Sequence, residues 1–136
     1  MSGEERTTEP LRGLRIMLVE DDPLICLDLE VSLSEFGATV TTASSVSGAL
    51  KIVAGAALDF AVLDFELGTA TSEPVARAVM ARNVPFVYLS GYSERDERFA
   101  GWPEVGVLVK PMSAAAIARH IVEALARRRS SPADTP

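Results

Sequence analysis

Short apolar runs and helical patterns alternate along this chain. The strand-like runs are RIMLV (15–19), ATVTT (38–42), LDFAVLD (58–64), PFVYLS (85–90) and VGVLV (105–109). Four of them are almost continuously apolar and rich in Val, Leu, Ile and Phe, the composition of parallel strands covered on both faces. ATVTT alternates more, which suits a strand near an edge.

The intervening segments predict helices. Pro23 fits a first helical turn, with Asp21 or Asp22 as its N-cap. Ile25, Leu29, Ser32, Leu33 and Phe36 then mark one helical face, and Gly37 is placed to end it. Ser44 or Ser45 caps a second helix reaching about Ala54, and Pro74 opens a third that ends near Arg82. Ser113 caps the last, AAAIARHIVEALARR. Its stripe of Ala114, Ile117, Ala118, Ile121 and Leu125 faces inward, and Arg119, His120, Glu123 and Arg127 face out. The segment SERDERFAGWPE (93–104) is highly charged and broken by Gly101 and Pro103. It offers at most one or two helical turns, with Trp102 covering a loop. The order β-α-β-α-β-α-β-(short α)-β-α implies right-handed crossovers and a doubly wound α/β fold, five parallel strands with helices on both faces.

Residues 1–12 and 129–136 are polar, without periodicity, and read as disordered tails around one domain at 13–128. The run Arg127, Arg128 and Arg129 complements a helix C-terminus. A chain of 136 residues with 48% hydrophobic content supports one packed core. A net charge of −6 argues against a nucleic-acid surface. The single cysteine, Cys26, lies in an apolar helical pattern and reads as a buried, inert thiol. The N-terminus is polar, and no apolar run reaches the roughly 18 residues of a membrane span. The expectation is a soluble, cytoplasmic protein that contacts no membrane.

Chemistry concentrates where the strands end, and in open α/β sheets that edge binds ligands. Glu20, Asp21 and Asp22 follow the first strand, Asp64 ends the third, Ser90 the fourth and Lys110, before Pro111, the fifth. Adjacent carboxylates repel by roughly 1 kcal/mol in water at 4 Å, and by about 4 kcal/mol at an effective dielectric near 20. Together with Asp64 they form an all-oxygen set suited to Mg²⁺. Asp64 combines ligand and nucleophile, since carboxylates attack phosphorus to give aspartyl phosphate. Lys110 supplies a compact cation for phosphoryl oxygens and Ser90 a hydroxyl donor.

These stretches, LVEDDPL, AVLDFEL, LSGY and VLVKP in this order, resemble the response-regulator receiver domains of two-component signalling, over residues 14 to 127. The resemblance implies a flavodoxin-like sheet of strand order 2-1-3-4-5. It implies Asp64 as phosphoacceptor, modified to 4-aspartylphosphate. Asp21 would ligate Mg²⁺ directly, Glu20 through water, and Glu66 through its main-chain carbonyl. Ser90 takes the switch position and Lys110 that of the family's lysine, before a bond often cis. Asp22 is left as a helix N-cap. The chain departs from the family at Val107, where an aromatic is usual. Tyr92, two residues after Ser90, is the aromatic available instead, in a Ser-Gly-aromatic variant with a weak fourth helix. ELGTATSEP (66–74) also replaces the usual Pro and Asp-Gly turn.

The implied function is that of a stand-alone phosphorylated signalling module, not an enzyme. A histidine kinase or phosphotransfer protein would supply the phosphate, and an unnamed downstream protein would read it, or the domain would act as a phosphate sink. Two other readings stand beside it. One is a receiver fold that binds partners without phosphate. The other is an aspartyl-nucleophile phosphatase, for which DFELGT carries Glu66 in place of the second Asp and no cap domain is visible.

Overall fold

A computed structural model describes residues 8–93, 95–101 and 106–130. The chain runs β1 (Arg15–Val19), α1 (Pro23–Glu35), β2 (Thr39–Ala43), α2 (Val46–Gly55), β3 (Phe60–Asp64), β4 (Glu66–Leu67), β5 (Ala70–Thr71), α3 (Glu73–Ala81), β6 (Phe86–Ser90), a 3₁₀ turn (Glu97–Phe99), β7 (Gly106–Val109) and α4 (Ala114–Ser130). The main sheet is parallel, in the order β2-β1-β3-β6-β7. With the small β4–β5 hairpin set aside, this is the doubly wound order 2-1-3-4-5. The alternating strand β2 takes an edge, as its pattern predicted.

Pleating sends successive side chains to opposite faces. Met17, Val19, Ala61, Leu63 and Tyr88 face one side and pack with Ala49 and Val53 of α2 and Val75, Ala76 and Val79 of α3. Ile16, Leu18, Phe60, Val62, Val87 and Leu89 face the other, against Leu29 and Leu33 of α1 and Ile117, Ala118 and Ile121 of α4. Phe65, just past β3, meets Tyr88 edge to face at 5.1 Å and Phe99 of the 3₁₀ turn at 4.9 Å. Among its described residues the charged segment after β6 thus makes one helical turn, with Phe99 packed into the core.

The caps follow their chemistry. The Asp22 carboxylate accepts from the N–H groups of Leu24 and Ile25 at the start of α1. Ser45 accepts from Gly48 and Ser113 from Ala116. Gly37 ends α1 at φ +105, and a Cβ there would stand 2.8 Å from the Arg12 backbone. Within α1 only Leu29 and Leu33 are buried. Ile25, expected inward, is exposed, as are Leu24, Leu27 and Val31. The half-buried Cys26 has its thiol pKa raised by burial.

Three sequence expectations need correction. Leu11 belongs to the core rather than to a tail. It is fully buried among the residues under α1, and its N–H donates to the Phe36 carbonyl. Helix α4 extends to Ser130, past the proposed boundary at 128. His120 does not face out. It is half-buried, and a Cβ on Gly106 would meet its ring at 2.7 Å, so the glycine makes room for the imidazole. Burial lowers its pKa. ELGTATSEP, which replaces the family's usual turn, enters α3 in its own way. It folds into the β4–β5 hairpin, turning through Gly68 at φ +63. Residues 1–7, Trp102 and the tail at 131–136 lie outside the described residues.

Candidate functional site

Strand register assembles the site. It sets Val19 beside Leu63, Asp64 beside Leu89 and Ser90 beside Val109. The residues that end or follow these strands therefore gather at one sheet edge. Asp64 and Glu20 are each only 2% exposed, whereas Asp21 is exposed. One carboxylate oxygen from each of Glu20, Asp21 and Asp64 falls within 4.8 Å of the others. Lys110 reaches in from the end of β7, with Nζ 2.8 Å from Asp64 Oδ1 and 4.0 Å from Glu20 Oε1. The Lys110–Pro111 bond is cis.

The electrostatics are unbalanced, with three carboxylates facing one ammonium. Burial pushes the Glu20 carboxyl up, the Asp22 N–H pulls it down and the Asp64 charge raises it again, leaving it at about 7. For Lys110, burial disfavours the charge, but the Asp64 hydrogen bond and the charges of Asp64, Glu20 and Glu66 outweigh it, so its pKa is raised. Glu20 Oε1 is buried without a hydrogen-bond donor among the described residues. A buried carboxylate oxygen left this way is costly. An all-oxygen donor set with one such atom suits a hard divalent cation.

The remaining predicted residues lie close by, with different contacts. Ser90, wholly buried, donates its hydroxyl to Glu66 Oε2 at 3.3 Å and accepts from the Tyr92 N–H at 3.0 Å. Tyr92 is 40% exposed, and the Arg98 guanidinium lies 3.7 Å over its ring. Arg98 is held in turn by Asp96 at 2.7 Å. Val107, where the family aromatic was missing, packs half-buried against the face that holds Tyr88. Beside Asp21 a groove of about 440 Å³ opens between the β2–α2 loop and the β4–β5 hairpin, lined by Ser44, Ser45, Leu67 and Gly68. Sequence reasoning missed the Glu66 side chain and Arg98. Neither ends an apolar strand of the main sheet, and Glu66 and Ser90 are 24 residues apart.

No family model matches the chain. Among curated proteins it is 36% identical over 124 residues to the transcriptional regulatory protein PrrA of Mycobacterium tuberculosis, covering 88% of this chain and 52% of PrrA. The chain therefore spans about half the length of the curated relatives it matches. Among solved structures it resembles a response regulator receiver protein from Sinorhizobium medicae, at 30% identity and TM-score 0.71, covering 84% of this chain and 98% of that one. It also shares the fold of the response regulator TrrA from Thermotoga maritima, solved in complex with Mg²⁺–BeF, at 24% identity and TM-score 0.71, over 81% of this chain and 97% of that one.

Proposed function

The chain belongs to the response-regulator receiver family, and from that premise we propose that it accepts a phosphoryl group on Asp64. The carrying observation is the buried Asp64 carboxylate, with Lys110 at 2.8 Å and Glu20 and Asp21 beside it. In the proposed reaction an Asp64 oxygen attacks the phosphorus of a phosphohistidine on a kinase or phosphotransfer protein. The O–P bond forms, the P–N bond breaks, and the imidazole leaves with a proton. The groove beside Asp21 gives the donor a path to the site.

Lys110 holds Asp64 in place as an anion and then serves the phosphoryl oxygens as their cation. The Ser90 hydroxyl is the neutral donor within the same edge. Glu20 and Asp21, with Asp64 and the Glu66 carbonyl, would hold Mg²⁺, whose contribution when bound is charge neutralisation on the transferring group. The magnesium in the Thermotoga protein's complex supports this reading.

Output passes through protein contacts, so the domain signals rather than turning over a substrate. The exposed apolar face of α1, Leu24, Leu27 and Val31, adjoins the acids and offers the donor protein a surface. Its charged residues are Asp28, Glu30 and Glu35, all acidic, which favours a donor face with a basic rim.

Intact-mass measurement after incubation with Mg²⁺ and phosphorylated candidate kinases tests the proposal. The wild type should gain one phosphoryl group and Asp64→Asn none. Equal labelling of the two proteins would place the acceptor elsewhere. No labelling of wild type by any donor, with no response to beryllofluoride, would favour a partner-binding receiver without phosphate.

A further inference from the structure

We propose that Glu66 is a positioning residue whose carboxylate holds the Ser90 hydroxyl away from the acceptor in the resting protein. This rests on the receiver reading of Asp64 and concerns the Glu66 side chain, not its carbonyl. A serine hydroxyl has one proton to donate. Here Ser90 is wholly buried and gives that proton to Glu66 Oε2 at 3.3 Å, while its oxygen accepts from the Tyr92 N–H at 3.0 Å. A phosphoryl oxygen on Asp64 needs the same proton. Both acceptors cannot be served at once, so engaging the phosphate means releasing Glu66.

Two features make this an arrangement rather than a passing contact. Glu66 stands on β4, paired with Thr71 across a hairpin that turns through Gly68. The backbone of the acceptor carboxylate is thus fixed. On the other side Ser90 Oγ anchors the Tyr92 N–H, and the Tyr92 ring carries Arg98 at 3.7 Å. Turning Ser90 toward Asp64 therefore disturbs the bond that positions Tyr92, and the state of the hydroxyl is passed to an exposed aromatic ring. The bond is long for O–H···O, where 2.5–3.0 Å is usual. Its loss should change affinities by about three- to tenfold, the range of an ordinary hydrogen bond and below that of a short bond to a charged group.

Two measurements test this. The first uses no phosphate mimic. Amide hydrogen exchange at Tyr92 should quicken in Glu66→Ala and stay near wild type in Glu66→Gln, which keeps an acceptor oxygen. Unchanged exchange in Glu66→Ala overturns the proposal. The second titrates beryllofluoride in the presence of Mg²⁺. Glu66→Ala should bind it about three- to tenfold more tightly, and the gain should vanish in a Ser90→Ala background. Equal or weaker binding by Glu66→Ala, or a gain that survives without the Ser90 hydroxyl, also overturns it. A wild type that binds no beryllofluoride would instead refute Asp64 as phosphoacceptor, and the exchange experiment would still decide the role of Glu66.

Discussion

Replacing Glu20 by glutamine should make the metal-free protein more stable at pH 8. Glu20 is buried beside Asp64, and its carboxyl is pushed from 4.5 to about 7. At roughly 1.36 kcal/mol per unit, ionising it in the folded protein costs on the order of 3 kcal/mol. The direction follows from proton linkage. The folded state keeps the Glu20 proton to higher pH than the unfolded state does. Stability therefore falls as pH rises from the ordinary carboxyl range to about 7, and the loss is complete above that. Glu20→Gln removes the charge at nearly the same volume and keeps an acceptor for the Asp22 N–H. At pH 8 in EDTA it should gain up to about 3 kcal/mol, a rise in melting temperature of roughly 10 °C for a chain of this size. At pH 4 the two proteins should melt nearly together. Adding Mg²⁺ at pH 8 should recover much of the deficit in wild type by mass action and far less in the variant. Urea denaturation at both pH values, with EDTA or Mg²⁺, reads all of this. A variant less stable than wild type at pH 8 in EDTA, or an equal gain at pH 4, would refute the reasoning.

Other perturbations probe the frame around the site. Leu11→Ala should cost about 2–5 kcal/mol by urea denaturation, as for a buried leucine; a tail residue would cost nothing. Asp22→Ala should lose about 1 kcal/mol through its N-cap while leaving the melting shift produced by Mg²⁺ in place. Gly106→Ala places a methyl group 2.7 Å from the His120 ring and should destabilise by about 1–3 kcal/mol. A His120→Ala background should restore much of that loss, as a double-mutant cycle will show.

The sheet and the acids were legible in the sequence because their signals are local and repeated. A parallel strand buried on both faces must be apolar throughout, so Asp64, Ser90 and Lys110 stand out as polar residues ending such runs. What escaped lacked that repetition. The β4–β5 hairpin has strands of two residues each, too short for any period to show. Leu11 is one apolar residue in a polar stretch, and only the fold supplies the space it fills. The helical pattern placed His120 outward because it cannot register that Gly106, on the strand beneath, has no side chain. The bond between Glu66 and Ser90 joins two elements that topology alone brings together.

Phe99 gives the 3₁₀ turn after β6 an all-or-none character. It is the buried residue of its 3₁₀ turn, seated against Phe65 and Tyr88, while Arg98 and Tyr92 meet on the outside. A turn seated through a buried ring does not loosen by degrees: the ring occupies its socket or leaves it. Burying a phenylalanine is worth roughly 1.5–3 kcal/mol, which leaves a vacated socket in at most several per cent of molecules at rest. That population falls within reach of relaxation-dispersion NMR, where the amides of 95–101 should share one exchange rate. Since Phe65 directly follows Asp64, the occupancy of this socket is set one residue from the proposed acceptor.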